Sequence, residues 1–469
     1  MDTKYRSEKP DTKLKMDVGW GSLPLLPLGC VLDHLSMEDA LAASSTCRHW
    51  RNAILVFARQ RDLLKLEVKN LEKSLFLTRL FKKNTRRLHI YIDTTGQELD
   101  TFMKCILPLF FETMSLNELA FIGPSYASRY YTPTAELKRI IVESLIFKHR
   151  HSLQRLILLG CEMATPKNDN DRFVHKHLEQ YSRPPLSFST VPSLDDTILT
   201  RRNVELMMFS TLQNIVIDYE YLSPGTIDTL TQLPHLSLLT LNIGHKQEIP
   251  RLEWPPQSLK VAINIISVPA HRFYEIMKQV LVEDLQLVSL KVMFCKTFHI
   301  PLLSYISRLY KRTLQELVWV DAPADTNAPS HRIVEPKSED MCVNHILLLC
   351  WQCVHLRRLV IHGYWLWQYD VAGMLRLRRS LEHFDVSAVY GRQDQYGFCG
   401  SNVMRVLASD NLAVLDNEYV RKINKDIEFK WVPSAYAELP RALKRGASPK
   451  DRADYIAYEM TKSPLLQSV

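Results

Sequence analysis

The stretch Leu212–Ile217 reads LQNIVI, and it decides how the rest of the chain is read: a leucine, two spacers, an aliphatic residue, one spacer, an aliphatic residue. The same L-x-x-L-x-L phrase, or a near variant, returns as LNELAF at Leu116–Phe121 and LQRLIL at Leu153–Leu158. Further starts fall at Leu236, Leu259, Leu287, Leu314, Leu356 and Leu381. From Leu212 to Leu314 the successive intervals are 24, 23, 28 and 27 residues. Alternation inside each phrase suits a strand. Between phrases, Ile227, Leu230 and Leu233, and later Phe273, Ile276, Met277, Val280 and Leu281, carry helical spacing.

A period of roughly 20 to 29 residues with one strand and one helix per unit is that of a leucine-rich repeat, whose single unit cannot bury its own apolar side. The expected fold is therefore an α/β solenoid over residues 85–432, an irregular horseshoe with strands on the concave face and helices on the convex one. The alternative is an ordinary α/β domain whose strands begin with leucine. If the phrase leucines point inward, the side chains between them line the concave face. The candidate contacts there are Asn214, Val216 and Asp218, then Ser289, Lys291 and Met293, then Glu316 and Val318, then Arg358, Val360 and His362. Two wide intervals, 59 residues after Leu153 and 42 after Leu314, hold polar, proline-containing stretches near 164–203 and 321–340 that read as projecting loops. Residues 433–469 have amphipathic fragments without the repeat, a cap or a tail.

Composition narrows the function. A chain of 469 residues, 46% hydrophobic and 23% charged, can bury one large core and a small second one. The net charge of +8 is spread without a dominant basic block, which argues against a nucleic-acid partner. With only 14 glycines, Gly-rich phosphate cradles are not expected. Nine scattered cysteines, an odd number, fit a reducing compartment better than a disulfide framework. The polar start MDTKYRSEKPDTKLKMD lacks the apolar core of a signal peptide, and no run approaches the roughly 18 apolar residues of a span. Residues 1–17 read as a disordered arm, the location as cytoplasmic and/or nuclear, with no membrane partner.

Between Trp20 and Val68 the pattern changes. Leu28, Val31, Leu32 and Leu35 fall at i, i+3, i+4 and i+7, with Pro24 and Pro27 at the entry, and Ser36-x-x-Asp39 is a helix-start signal. A second helix carries small residues at Ala40, Ala42 and Ala43, and Trp50, Ala53, Ile54 and Phe57 repeat the stripe in a third. Three short helices cannot cover their own apolar faces, so a partner surface is needed. The ordered series Leu23-Pro24, Leu28, Val31-Leu32, Leu35, Asp39 and Cys47-Arg48-His49-Trp50 resembles the F-box family. Leu26-Pro27 departs from a usual Glu–aliphatic pair, and Leu63-Leu64 stands where Leu-Trp is common. The resemblance implies a three-helix module at residues 18–68 that binds the Skp-type adaptor and, through it, the cullin and RING subunits of a ubiquitin ligase. Leu23, Pro24, Leu28, Val31, Leu32, Leu35, Cys47, Arg48 and Trp50 carry over as contact or support residues. It also implies a non-catalytic receptor that recruits a client protein through the repeat region, or else a non-degradative scaffold.

Candidate chemistry is sparse. Cys350-x-x-Cys353, with His345 and His355 nearby, has metal-like spacing, but Ile346, Leu349, Cys350 and Cys353 also fit one buried helix face. Gly397-Phe398-Cys399-Gly400 could expose a thiol nucleophile and is read as a loop, and His175-Lys176-His177 as solvated. An enzyme with a catalytic cysteine is the remote alternative. Neither a metal nor a cofactor is expected.

Overall fold

A computed structural model describes residues 19–461 except 36, 58–62, 93–96, 111–114, 124–144, 147, 160–208, 220, 221, 223, 245–248, 250, 255–258, 323–331, 334–343, 393–403, 410–413, 426, 428 and 436. The chain opens with three short helices, α1 (Leu25–Asp33), α2 (Met37–Ser44) and α3 (Arg48–Phe57). It then alternates: β1 (Leu63–Glu67), α4 (Leu71–Phe81), β2 (Arg87–Tyr91), α5 (Gln97–Cys105), β3 (Glu118–Ile122), β4 (Arg155–Leu159), β5 (Asn214–Asp218), α6 (Pro224–Thr231), β6 (Leu238–Ile243), β7 (Lys260–Ile266), α7 (Phe273–Gln279), β8 (Leu287–Met293), α8 (Ile300–Leu309), β9 (Glu316–Val320) and β10 (Arg332–Ile333). The remainder is α9 (His345–Gln352), β11 (Arg358–His362), β12 (Tyr364–Trp367), α10 (Gln368–Leu377), β13 (His383–Val386), β14 (Ala388–Arg392), β15 (Met404–Ser409), β16 (Val414–Leu415), α11 (Asn417–Asn424) and α12 (Pro449–Thr461).

Among the described residues, eleven strands form one parallel sheet whose spatial order follows the chain: β1 to β9, then β11 and β13. The remaining five, β10, β12, β14, β15 and β16, form a second sheet at one end. The L-x-x-L-x-L phrase explains the first. Its opening leucine lies two residues ahead of β3, β4, β5, β9, β11 and β13 and is buried each time, at Leu116, Leu153, Leu212, Leu314, Leu356 and Leu381. Just after that leucine the backbone is already paired with its neighbour, as in Gln154 N–H to Asn117 O and Gln213 N–H to Gln154 O, both 2.8 Å.

Successive side chains of a strand point to opposite faces, and the two faces of this sheet have different covers. Leu119, Leu156, Ile215, Leu239, Ile263, Leu290, Leu317 and Leu359 share one core with Leu77, Phe102, Ile227, Leu230, Phe273, Ile276, Leu303 and Ile306 of the helices and with Leu28, Leu32, Ala53 and Ile54 of the N-terminal module. On the opposite face Val216, Met293, Val318 and Val360 pack with Tyr455, Ile456 and Met460 of α12.

The expected α/β architecture with small N-terminal helices is observed. Two boundaries differ from the sequence reading. Leu63–Glu67, expected as the tail of the small module, pairs with β2 as the edge strand of the large sheet. Part of the stretch near 321–340 forms β10, paired with β12, while residues 164–203 and the 1–17 arm lie outside the described residues. In the segment from 433, Ser434 N–H bonds to Val386 O of β13, the last strand of the large sheet, at 2.9 Å, and α12 packs on the middle strands.

Candidate functional site

The N-terminal helices are held from inside. Leu28 and Leu32 of α1 and Ala53 and Ile54 of α3 are buried. Gly29 lets the helices approach: a Cβ there would stand 2.6 Å from Cε1 of Phe57. The entry segment is pinned to α3, with Trp50 Nε1 donating to Trp20 O at 2.9 Å and His49 Nε2 lying 2.7 Å from Leu23 O. Of the nine expected contact residues, Leu28 and Leu32 are buried and can act only as support. Leu23, Val31, Leu35, Cys47 and Trp50 are half-buried, and Pro24 and Arg48 are exposed. Ser36, the expected helix-start residue, lies outside the described residues.

The same module presents apolar surface outside the buried stripes. Leu26 is 79% exposed and Trp20 72%, with Leu25 and Val56 also exposed. Leu26 was the available signal: at helical spacing it falls opposite the stripe at 28, 31, 32 and 35, whereas Leu25 falls beside Leu32 and its exposure in the first turn was not legible.

The expected concave residues do share one face of the sheet, but that face is not open. Asn214, Val216, Asp218, Ser289, Lys291, Met293, Glu316, Val318, Val360 and His362 are buried, and only Arg358 is half-exposed. Their cover is α12. Glu459 enters a charge cluster: its Oε2 is 3.2 Å from Lys291 Nζ and 2.9 Å from Arg358 Nη1, its Oε1 is 2.9 Å from Arg358 Nη2, and Lys291 also donates to the Glu459 backbone oxygen at 2.6 Å. Glu316 completes the cluster, 2.5 Å from Arg358 Nη1 and 3.7 Å from Lys291 Nζ, and accepts from Ser289 Oγ. Burial alone would push the Glu459 carboxyl up, but Lys291 and Arg358 outweigh it and hold it at about 2. Asn264 Nδ2 donates to Asn242 Oδ1 at 2.9 Å and faces Met460 Sδ, and Arg155 donates to Met460 O.

A second polar knot lies on the same face among β2, β3 and β4. His89 Nε2 sits 2.5 Å from Glu118 Oε1, and Arg87 and Arg155 lie 3.3 and 3.5 Å from Glu118 Oε2. Burial opposes charge on both partners. It holds His89 below its ordinary value, whereas for Glu118 the His89 hydrogen bond and the two guanidiniums prevail and set the carboxyl at about 2. At the far edge, Asp385 of β13 lies 3.3 Å from His362 Nε2 and accepts from the Ser434 hydroxyl.

Cys350 and Cys353 are buried in the helix-side core, where desolvation raises both thiols to about 12. His345 pairs with Ser304 Oγ at 2.6 Å and His355 is exposed, so the four do not converge. Among the described residues no group of three or more His, Cys, Asp or Glu could hold a metal ion, and no helix is long and apolar enough to cross a membrane. Cys399 and His175–His177 lie outside the described residues.

Comparison with known proteins agrees with the N-terminal geometry. Residues 20–58 match the family model of the F-box domain. Human F-box only protein 33 is similar over 434 residues at 23% identity, a stretch covering 77% of this chain and 75% of that protein. With α1 to α3 inside the matched segment, the chain contains an F-box domain, and it is similar along most of its length to an F-box only protein.

Proposed function

We propose that the chain is a substrate receptor of a Skp–cullin–F-box ubiquitin ligase: the F-box docks a Skp-type adaptor, and the large parallel sheet with its helices recruits a client protein. The observation that carries this reading is the exposure of Trp20, Leu25, Leu26 and Val56 on a small module whose inner helix faces are already packed. Apolar surface grouped on one small module marks a protein contact. In such a role no bond is made or broken by the receptor; holding a client beside the charged ubiquitin carrier raises its effective concentration. The finer fold belongs to the same proposal. The chain-ordered parallel strands, the buried phrase leucines and the 23- to 28-residue intervals support an irregular leucine-rich-repeat solenoid. A cytoplasmic or nuclear setting follows from the proposed partners.

The test is co-purification with a Skp-type adaptor. Leu26→Glu places a charge on the exposed patch and is expected to lower adaptor affinity at least tenfold with an unchanged melting temperature. Leu23→Ala with Pro24→Ala should weaken it further. Retention of full adaptor binding in both variants defeats the assignment.

A further inference from the structure

The polar face of the main sheet is covered by a helix that fits only part of it. Side by side across β5 to β8 stand Asp218, Asn242, Asn264 and Lys291, all buried. Where α12 lays Glu459 between Lys291 and Arg358 the match is complete, with carboxylate and cations satisfied in hydrogen-bond geometry. On β5 to β7 the match is incomplete, with Asn264 Nδ2 alone among the amides reaching α12, at Met460 Sδ. Both polar side-chain atoms of Asn214, Nδ2 of Asn242 and Oδ1 of Asn264 are buried and make no hydrogen bond. A buried polar group left unpaired costs about 1–3 kcal/mol, so a cover evolved only to seal this face would place apolar side chains there or pair those amides. Without Glu459 the cluster of Lys291, Arg358 and Glu316 keeps one net positive charge, which an acidic side chain of a partner would complement. The connection to α12 runs through an exposed turn at Gly446, in the left-handed region at φ +67°.

We infer that this face of the sheet is the client-binding surface and that α12 occupies it as an internal stand-in. The partner it fits is a protein segment with an acidic side chain for Lys291 and Arg358 and with hydrogen-bonding groups for the Asn214, Asn242 and Asn264 amides. The inference rests on the receptor reading given above. It places recruitment on the residues expected from sequence and makes access to them conditional on release of the C-terminal helix.

Two measurements on the full chain test it, with adaptor binding read on the same samples. First, hydrogen exchange on the unaltered protein: amides of residues 455–460 are expected to exchange at least a hundredfold faster than those of β8, by local opening. Exchange as slow as β8 makes α12 a permanent part of the core and overturns the proposal. Second, a fluorescent peptide of residues 447–463 is titrated into the wild type and into Glu459→Ala. The variant should bind the peptide at least tenfold tighter than the wild type, because its own helix competes less well, and Lys291→Ala in the variant should abolish that gain. A folded Glu459→Ala chain that ignores the peptide also overturns it. Loss of adaptor binding in the wild type would instead strike the receptor reading and leave both peptide results standing.

Discussion

Gly363 shows how much one residue can decide. It has φ +84° at the corner between β11 and β12, where the chain leaves the large sheet for the small one, and a Cβ there would lie 2.4 Å from the backbone oxygen of Asp321. Both the left-handed backbone and the contact oppose a side chain, so Gly363→Ala should lower stability by about 3 kcal/mol in urea denaturation. Single residues were also where sequence reading divided most sharply. Cys350 and Cys353 were legible as core, because their helical spacing with Ile346 and Leu349 needed no other explanation. Glu459 was not. It sits in a stripe with Tyr455, Ile456 and Met460, and a carboxylate at such a position reads as solvated until its cations, 101 and 168 residues earlier in the chain, are brought to it.

Elements were legible in proportion to how local their signals are. The phrase leucines placed β3 to β9, β11 and β13, because alternate residues of each strand turn into the helix-side core and the pattern records them. The strand β1 was missed as a sheet member since LLKLE lacks the phrase, and its partner β2 lies beyond an intervening helix. The carry-over of F-box residues found the right helices but mixed support with surface, since periodicity does not tell which side a second chain will cover. Helix α9 gives a local test. Its N-cap Asn344 accepts from Ile346 N–H at 2.9 Å and donates to Asp370 in the first turn of α10 at 2.5 Å, and burial holds the Asp370 carboxyl above its ordinary value. Asn344→Ala removes a cap and strands that carboxyl, an expected loss of about 2 kcal/mol by thermal unfolding.

The two buried carboxylate clusters, around Glu118 and around Glu459, lie on one face of the large sheet, and they set the response of the whole molecule to acid. Glu118 and Glu459, both at about 2 when folded, lie below the unfolded carboxylate value, so the stability they confer is present above about pH 4.3 and is lost as pH falls towards 2. His89, held below 6.5, acts in the same direction: the unfolded chain takes up its proton first, and this loss begins as pH drops through about 6.5. Urea midpoints should therefore fall steadily from pH 7 to pH 4, with Glu118→Gln flattening the lower part of the slope. A midpoint independent of pH over that range contradicts the assignment.

Leu28, Leu32, Ala53 and Ile54 belong to the same uninterrupted core as Leu64, Leu66 and the strands beyond, so the plug and the platform form one stiff body. On the proposed receptor role, a cargo seated on such a platform would be held at a set bearing from the ligase, as on an arm welded at its base. Which lysines of the cargo receive ubiquitin would then be chosen by where they lie on its surface, and not by the sweep of a tether.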